Sequence, residues 1–300
     1  MNRRNFIRKS MATAAVCYGL NGISLPAVAA AMPGARNKNR IGIQLYSIRE
    51  FLSTDLKGSL QKLSDIGYTF AEAYGYDSNA FLGKSLKELN VLLNEVGMQL
   101  SGTHCGTGVL PADVQSKEWD YWRKSVQEMK AAGGRHLVQS FLPANKTLDE
   151  LKRVAEQFNK IGEICKKGGV RFGYHNHHAE LKQVEGQVIL DVLLKNTDPG
   201  LVFFQMDMGH VVNGGGDILS YIKNYPGRFL SWHASDFKKG GEYTDLGRGD
   251  VPYDALFQLA KSYKLEDLTI EHESGEDRFA ACKRDFDYLA KYPWTKVKTK

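Results

Sequence analysis

Three apolar runs in this chain each end on a side chain that can bind a metal: Leu201–Asp207, Arg228–His233 and Leu268–Glu271. Each is followed at once by a polar, turn-prone stretch: Met208-Gly209-His210, Ala234-Ser235-Asp236 and His272-Glu273-Ser274-Gly275. A fourth run, Val170–Tyr174, ends in His175-Asn176-His177-His178. One Asp, one His and one Glu brought to a common mouth can bind a divalent cation, and the fourth run can complete the set. Mixed carboxylate and imidazole with no thiolate suits zinc, manganese, cobalt or magnesium. Three or four protein ligands leave positions for water or for two substrate oxygens. Alternate residues share a face of a strand, so His175 and His177 can point the same way. His178 is read as solvent-facing or structural.

Short apolar runs are what parallel strands buried on both faces look like. They recur along the chain and predict strands at 41–46, 69–73, 98–103, 136–140, 170–174, 201–206, 229–232 and 268–270. Amphipathic stretches between them predict helices at 56–66, 85–96, 118–132, 148–167, 187–195, 217–224, 253–263 and 278–291. The clearest is the fourth, where Leu148, Leu151, Ala155, Phe158, Ile161 and Cys165 fall on one face at helical spacing. Gly67, Gly97, Gly133-Gly134 and Gly168-Gly169 stand where helices should stop. Eight strands alternating with eight helices predict an α/β fold, a single (β/α)8 TIM barrel over residues 40–300. An open doubly wound sheet with a dinucleotide site would want G-x-G-x-x-G after the first strand, where Gln44-Leu45-Tyr46-Ser47-Ile48-Arg49 stands instead.

In such a barrel the carboxyl ends of the strands converge on one mouth. Polar groups cluster at those ends: Gln44 and Arg49, Glu72, His104, His177, His210, Asp236 and Glu273. Gln44, His104, His177, His210 and Asp236 are expected to contact substrate. Arg248, in Leu246-Gly247-Arg248-Gly249-Asp250, can hold an anionic or hydroxyl-rich one. Gly214-Gly215-Gly216-Asp217 reads as a flexible loop before a helix, and Trp119 and Trp122 as core.

Composition narrows the partners. The 300 residues carry a formal charge of +6, but Arg3, Arg4, Arg8 and Lys9 supply four of the 40 basic residues within the first 29 positions, where no acid stands. The remaining 36 basic against 34 acidic residues give little reason to expect nucleic acid. Arg3-Arg4 before a mildly apolar stretch and Ala27-Val28-Ala29 fit a twin-arginine export signal over residues 1–29, followed by a flexible lead-in over 30–39. That predicts a bacterial periplasmic protein without a membrane anchor. Of the four cysteines, Cys17 lies in the expected export signal; the three that would remain, Cys105, Cys165 and Cys282, are odd in number and far apart, which argues against a disulfide framework. A homo-oligomer stays open.

Several segments carry a resemblance. Gln44-Leu45-Tyr46-Ser47-Ile48-Arg49, Tyr174-His175-Asn176-His177, Tyr225-Pro226-Gly227-Arg228 and Trp232-His233-Ala234-Ser235-Asp236 resemble the xylose isomerase-like TIM-barrel superfamily, in particular its sugar phosphate isomerase/epimerase proteins. The resemblance implies one divalent metal on His175, Asp207, His233 and Glu271, with His175 where ketose epimerases keep a glutamate that also serves as acid/base. It implies a sugar isomerase or epimerase working through an enediolate, with Glu271, His175 and Glu72 as the catalytic candidates. The missing glutamate puts a symmetric two-glutamate proton transfer in doubt. A periplasmic lyase for keto-glycosides using the same metal site, and a non-catalytic sugar-binding barrel, are the alternatives. In every case the partner is a small sugar or sugar derivative.

Overall fold

The computed structural model describes residues 40–238, 240–260 and 265–296. The expected export signal and lead-in lie outside the described residues. Eight strands, all parallel, close into a barrel: β1 (Ile41–Gln44), β2 (Phe70–Tyr76), β3 (Gln99–Cys105), β4 (His136–Gln139), β5 (Arg171–His175), β6 (Val202–Asp207), β7 (Phe229–Ala234) and β8 (Asp267–Ile270). Each pairs with its neighbour in the chain, and β8 closes on β1 through Ile41 opposite Leu268. Helices occupy the connections: α1 (Leu56–Ile66), α2 (Leu86–Glu95), α3 (Asp120–Ala131), α4 (Leu148–Gly168), α5 (Ile189–Asn196), α6 (Ile218–Asn224), α7 (Tyr253–Ala260) and α8 (Arg278–Ala290). The expected (β/α)8 barrel is the observed fold.

Local sequence explains the elements. In α4 the Thr147 hydroxyl accepts from the Glu150 backbone N–H, so an orphan donor of the first turn is satisfied. Gly169, at φ +80°, ends the helix in the left-handed region that other residues avoid. Between these ends Leu151, Val154, Ala155, Phe158, Ile161 and Cys165 are buried against the barrel. Burying each of the larger ones is worth about 1.5–3 kcal/mol. Trp119 and Trp122 are core, as expected, with 1 % and 0 % exposure. Asp217 caps α6 by accepting from the Ser220 backbone N–H, so the glycine-rich loop before it delivers a capped helix.

The barrel interior is plugged below the mouth by rings laid over glycines. A Cβ on Gly42 would lie 2.0 Å from the Phe70 ring, and one on Gly173 would lie 2.4 Å from the Phe203 ring. In both cases the glycine and the ring are paired across neighbouring strands. Three register irregularities interrupt the ladders, two of them between Ala71 and Glu72 and between Phe204 and Gln205, the third between Ala73 and Tyr76. Such irregularities re-aim side chains, and both Glu72 and Gln205 are polar groups inside the barrel.

Several elements differ from expectation. β1 stops at Gln44, two residues early, because the Gln44 side chain accepts from the Tyr46 backbone N–H and turns the chain into a 3-10 turn. A short helix, Met208–Asn213, follows β6 directly, capped by Asp207 itself. Before α5, Gln183–Val184 and Gln187–Val188 form a two-stranded ribbon.

Candidate metal centre and barrel mouth

Four strand ends deliver His175, Asp207, His233 and Glu271 so that one ligand atom from each lies within 4.8 Å of all the others. All four are buried. Asp207 is fixed on both sides. Its Oδ1 accepts from the His210 backbone N–H at 2.8 Å and from Ser235 Oγ at 2.6 Å. Its backbone exchanges two hydrogen bonds with the Asn176 amide. Gly209 makes the Ser235 contact possible, since a Cβ there would sit 2.3 Å from Ser235 Oγ. Asp207 Oδ2 is left buried with no hydrogen-bond partner.

Gln205 organises the other ligands. Its amide nitrogen donates to Glu72 Oε2 at 2.8 Å and to Ser231 Oγ at 3.1 Å. Its oxygen must then accept, and it lies 3.1 Å from His175 Nδ1 and 2.8 Å from His104 Nε2. This network assigns the proton of His175 to Nδ1 and leaves the Nε2 lone pair for a cation, the usual way a second contact orients a ligating imidazole. His233 stands between two carboxylates, with Nδ1 2.8 Å from Glu271 Oε2 and Nε2 3.2 Å from Glu72 Oε1.

Charge here is unbalanced. Glu72, Asp207, Glu271 and Glu273 share the mouth, and among the described residues no Lys or Arg hydrogen-bonds or ion-pairs with any of them. Histidines answer them instead. Burial alone would raise the Glu72 carboxyl, but His104 and His233 hold it well below its ordinary range. Glu271 is likewise lowered, its burial overcome by the hydrogen bond and charge of His233. His233 would lose its proton on burial, but Glu72 and Glu271 push it up to about 10. Asp207 is raised by burial. Burial, then the neighbouring histidines, drive His175 well down. Burial and His210 bring His177 to about 4. His210 opposes its own burial through Asp207 and Glu273 and rises to about 9.

This donor set fits a divalent cation. The candidate ligands are the hard-to-intermediate kind, their atoms converge, one carboxylate oxygen is orphaned, and among the described residues only histidines, with no Lys or Arg, meet the carboxylates.

The remaining expected site residues divide. His177 and His210 face each other at the mouth with ring centroids 4.9 Å apart, and His210 Nε2 pairs with Glu273 Oε1 at 3.0 Å. Gln44 is fully buried and donates to Glu72 Oε1 at 2.8 Å, while His104 Nε2 lies 2.7 Å from the same oxygen. Glu72, expected to be catalytic, is encased by Gln44, His104, Gln205 and His233. His175, expected both as ligand and as catalytic group, is pinned by Gln205 with its Nε2 left free. Asp236, expected to touch substrate, accepts from the backbone N–H groups of Gly247, Gly249 and Val251 and anchors its own loop. Arg248 points to solvent beside Asp245, because the turn that carries it faces outward. Glu180 accepts from Tyr174 Oη and from the His177 backbone N–H, which braces the strand-five loop. A second cluster, Asp245, His272 and Asp285, is filled by the chain itself: Arg284 takes both oxygens of Asp245, and Asp285 takes His272 Nδ1 and the Leu246 N–H.

The contribution of Gln205 went unread in the sequence. Its signal is a polar residue inside the apolar run Val202–Met206, two positions before Asp207 and hence on the same face.

Residues 60–292 match the xylose isomerase-like TIM barrel family, and the chain belongs to it. A solved sugar phosphate isomerase/epimerase from Parabacteroides distasonis superposes with a TM-score of 0.75 at 29% identity, covering 91% of this chain and 100% of that one. The inosose dehydratase of Clostridium perfringens is 29% identical over 144 residues, 42% of this chain and 48% of its own length. The matched stretch thus spans about half of that relative. A solved L-ribulose 3-epimerase shares the fold, with a TM-score of 0.62 at 18% identity over 84% of this chain and 93% of its own.

Proposed function

We propose that this chain is a metal-dependent enzyme that takes the proton next to a carbonyl of a keto sugar and eliminates a group from the adjacent carbon. One observation carries the reading: His175, Asp207, His233 and Glu271 converge within 4.8 Å at the barrel mouth, with Asp207 Oδ2 unpartnered. These four would hold the cation, which when bound supplies a Lewis acid that polarises the carbonyl and steadies the negative charge of the enediolate.

The chain's own residues do the rest. The His177 ring is partly exposed at the mouth and takes the proton from carbon. The C–H electron pair forms the enolate and then expels the group on the next carbon. His210, charged through Glu273, hands that group the proton it needs to leave. Gln205, Glu72 and Gln44 keep the ligands from turning. Base and acid stand side by side, which suits removal and departure on one face of the sugar. Epimerisation wants a group on each face, and the second glutamate it would use is His175 here. The inosose dehydratase similarity agrees with elimination. The full-length similarity to a sugar phosphate isomerase/epimerase favours a second reading, isomerisation or epimerisation through the same proton abstraction.

The basic Arg3-Arg4 segment supports export to a bacterial periplasm, and N-terminal sequencing of periplasmic protein tests it. No helix among the described residues is long and apolar enough to cross a membrane. The enzymatic reading is tested by elemental analysis followed by incubation with 3-keto glucosides in deuterated water. A bound divalent metal and chelator-sensitive formation of an unsaturated ketone are expected. Solvent deuterium returned to the intact sugar carbon, without loss of the leaving group, would select the isomerase or epimerase reading. No exchange and no elimination at any added metal would refute both.

A further inference from the structure

Glu271 stands one residue past the end of β8, where the ladders to both neighbouring strands stop: the last pairs are Ile270 with Ala234 on β7 and Ile270 with Ile43 on β1. Backbone groups beyond a strand end must find partners elsewhere. Here they are taken one by one. The Glu271 N–H donates to the Ala234 carbonyl at 3.1 Å. The next peptide unit is held at both ends: the Glu271 carbonyl accepts from Tyr243 Oη at 2.8 Å, and the His272 N–H donates to Ser47 Oγ at 2.9 Å. Peptide units are planar. Fixing the one before and the one after Glu271 therefore fixes its Cα and the direction in which its side chain leaves.

The two hydroxyls come from distant parts of the chain. Ser47 is in the 3-10 turn after β1, and Tyr243 is in the loop after β7. The Tyr243 ring is seated edge-on between Phe237 at 4.9 Å and His272 at 5.1 Å. His272 is fastened in turn. Asp285 of α8 takes its Nδ1 at 2.7 Å, and the other oxygen of Asp285 accepts from the Leu246 N–H, three residues past Tyr243. The cluster of Asp245, His272 and Asp285 thus ties the loop after β7 and the residue after Glu271 to one helix.

The carboxylate of Glu271 needs that hold. Among the described residues it is bonded only by His233, whose Nδ1 lies 2.8 Å from Oε2. Asp207 differs, because its Oδ1 is fixed both by Ser235 and by the His210 N–H. A carboxylate with a single contact takes its aim from its backbone, and neutral hydroxyls hold that backbone without adding a charge that would compete for a cation.

We propose that Tyr243 and Ser47 are positioning residues: they hold the peptide unit after Glu271 at both ends and thereby aim its carboxylate at the cation. This rests on the metal-dependent reading above and adds how one of its ligands is kept in place.

The test is the zinc affinity of the full chain, stripped of metal and titrated against a chromophoric chelator, together with the Tm of the stripped protein. Tyr243→Phe keeps the ring between Phe237 and His272 and removes only the hydroxyl, and zinc should bind about tenfold more weakly. Ser47→Ala removes the other hold and should weaken zinc by a similar factor. Tyr68→Phe is the control, since it removes a phenol bonded to the Cys282 carbonyl of α8 at 2.8 Å and to none of the four ligands. It should lower Tm and leave zinc binding within about twofold. Unchanged zinc affinity in Tyr243→Phe or in Ser47→Ala would overturn the role of that residue, whatever happens to Tm. An equal loss in Tyr68→Phe would make the effect one of general stability and overturn both. Each of these leaves the metal-dependent reading standing. A parent that takes up no zinc, manganese or cobalt and turns over no keto sugar would overturn that reading and the proposal with it.

Discussion

The two ends of the barrel bury similar groups and treat them differently. At the floor, where strands begin, Asp267 of β8 lies 3.1 Å from His136 Nδ1 and is bonded by Arg135 at 2.5 Å, and Glu266 is bonded by Arg171 at 2.7 Å. At the mouth, where strands end, Glu72, Asp207 and Glu271 are surrounded by histidines and amides, with no arginine or lysine bonded to them among the described residues. The floor brings its cations in the sequence. The mouth arranges donors around a position that the sequence does not fill. A buried carboxylate is costly unless paired, so the contrast separates a structural end from a working one.

The largest expected effect breaks the mouth. Asp207→Ala or Glu271→Ala should cost more than about a hundredfold in metal affinity and turnover, measured by metal titration and single-turnover assay. Without metal the isosteric Asp207→Asn, whose amide oxygen can still accept from Ser235 and the His210 N–H, should be no less thermostable than the parent, since a like charge is removed from a crowded site. A fall in its Tm would mean the cluster is structural after all.

The floor should respond in the opposite sense. Asp267→Asn should cost about 2–3 kcal/mol of stability, less than a wholly buried pair because Arg135 is half exposed. Activity per folded molecule should stay unchanged. Burial raises the Asp267 carboxyl, but His136 and Arg135 outweigh it and lower it beneath 3.8. The stabilisation is therefore complete above that unfolded value and is lost as pH falls through the lower folded one. Chemical denaturation between pH 5 and pH 2 should show a steep acid limb in the parent and a flatter one in Asp267→Asn.

Glu72→Gln sharpens the comparison at intermediate size. It keeps the shape of the hub but not its charge, so metal affinity should fall about tenfold while the reaction survives. A complete loss with metal still bound would make Glu72 a reacting group. The smallest effect belongs to Arg248→Ala, whose side chain is 69 % exposed. Stability should move by less than about 0.5 kcal/mol and kcat/KM by less than about twofold.

The strands and most helices were legible because apolar runs and amphipathic stretches alternate with glycine stops. The four residues that converge at the mouth were legible because each stands where an apolar run ends. What the sequence hid was the use made of each polar group. Asp236 and Asp207 look alike in sequence, each closing a strand–turn, yet one closes a loop with three backbone bonds and the other keeps an oxygen free. Glu72 and Glu271 look alike too, yet Glu72 is enclosed by Gln44, His104, Gln205 and His233 while Glu271 meets His233. Such distinctions depend on partners far away in the chain: Gln205 reaches Glu72 across 133 residues.

Asp236 has one more consequence. By accepting from Gly247, Gly249 and Val251 it ties the far end of the loop back to the strand that starts it, and Gly249 must remain glycine because a Cβ would fall 2.2 Å from Asp236 Oδ1. The knot does not isolate the loop, because inside it Tyr243 donates to the Glu271 carbonyl at 2.8 Å while Asp245 and Leu246 are bonded to Arg284 and Asp285. A segment tied at its neck and again at its middle behaves as a brace, so a change at Gly249 should be felt at the end of β8.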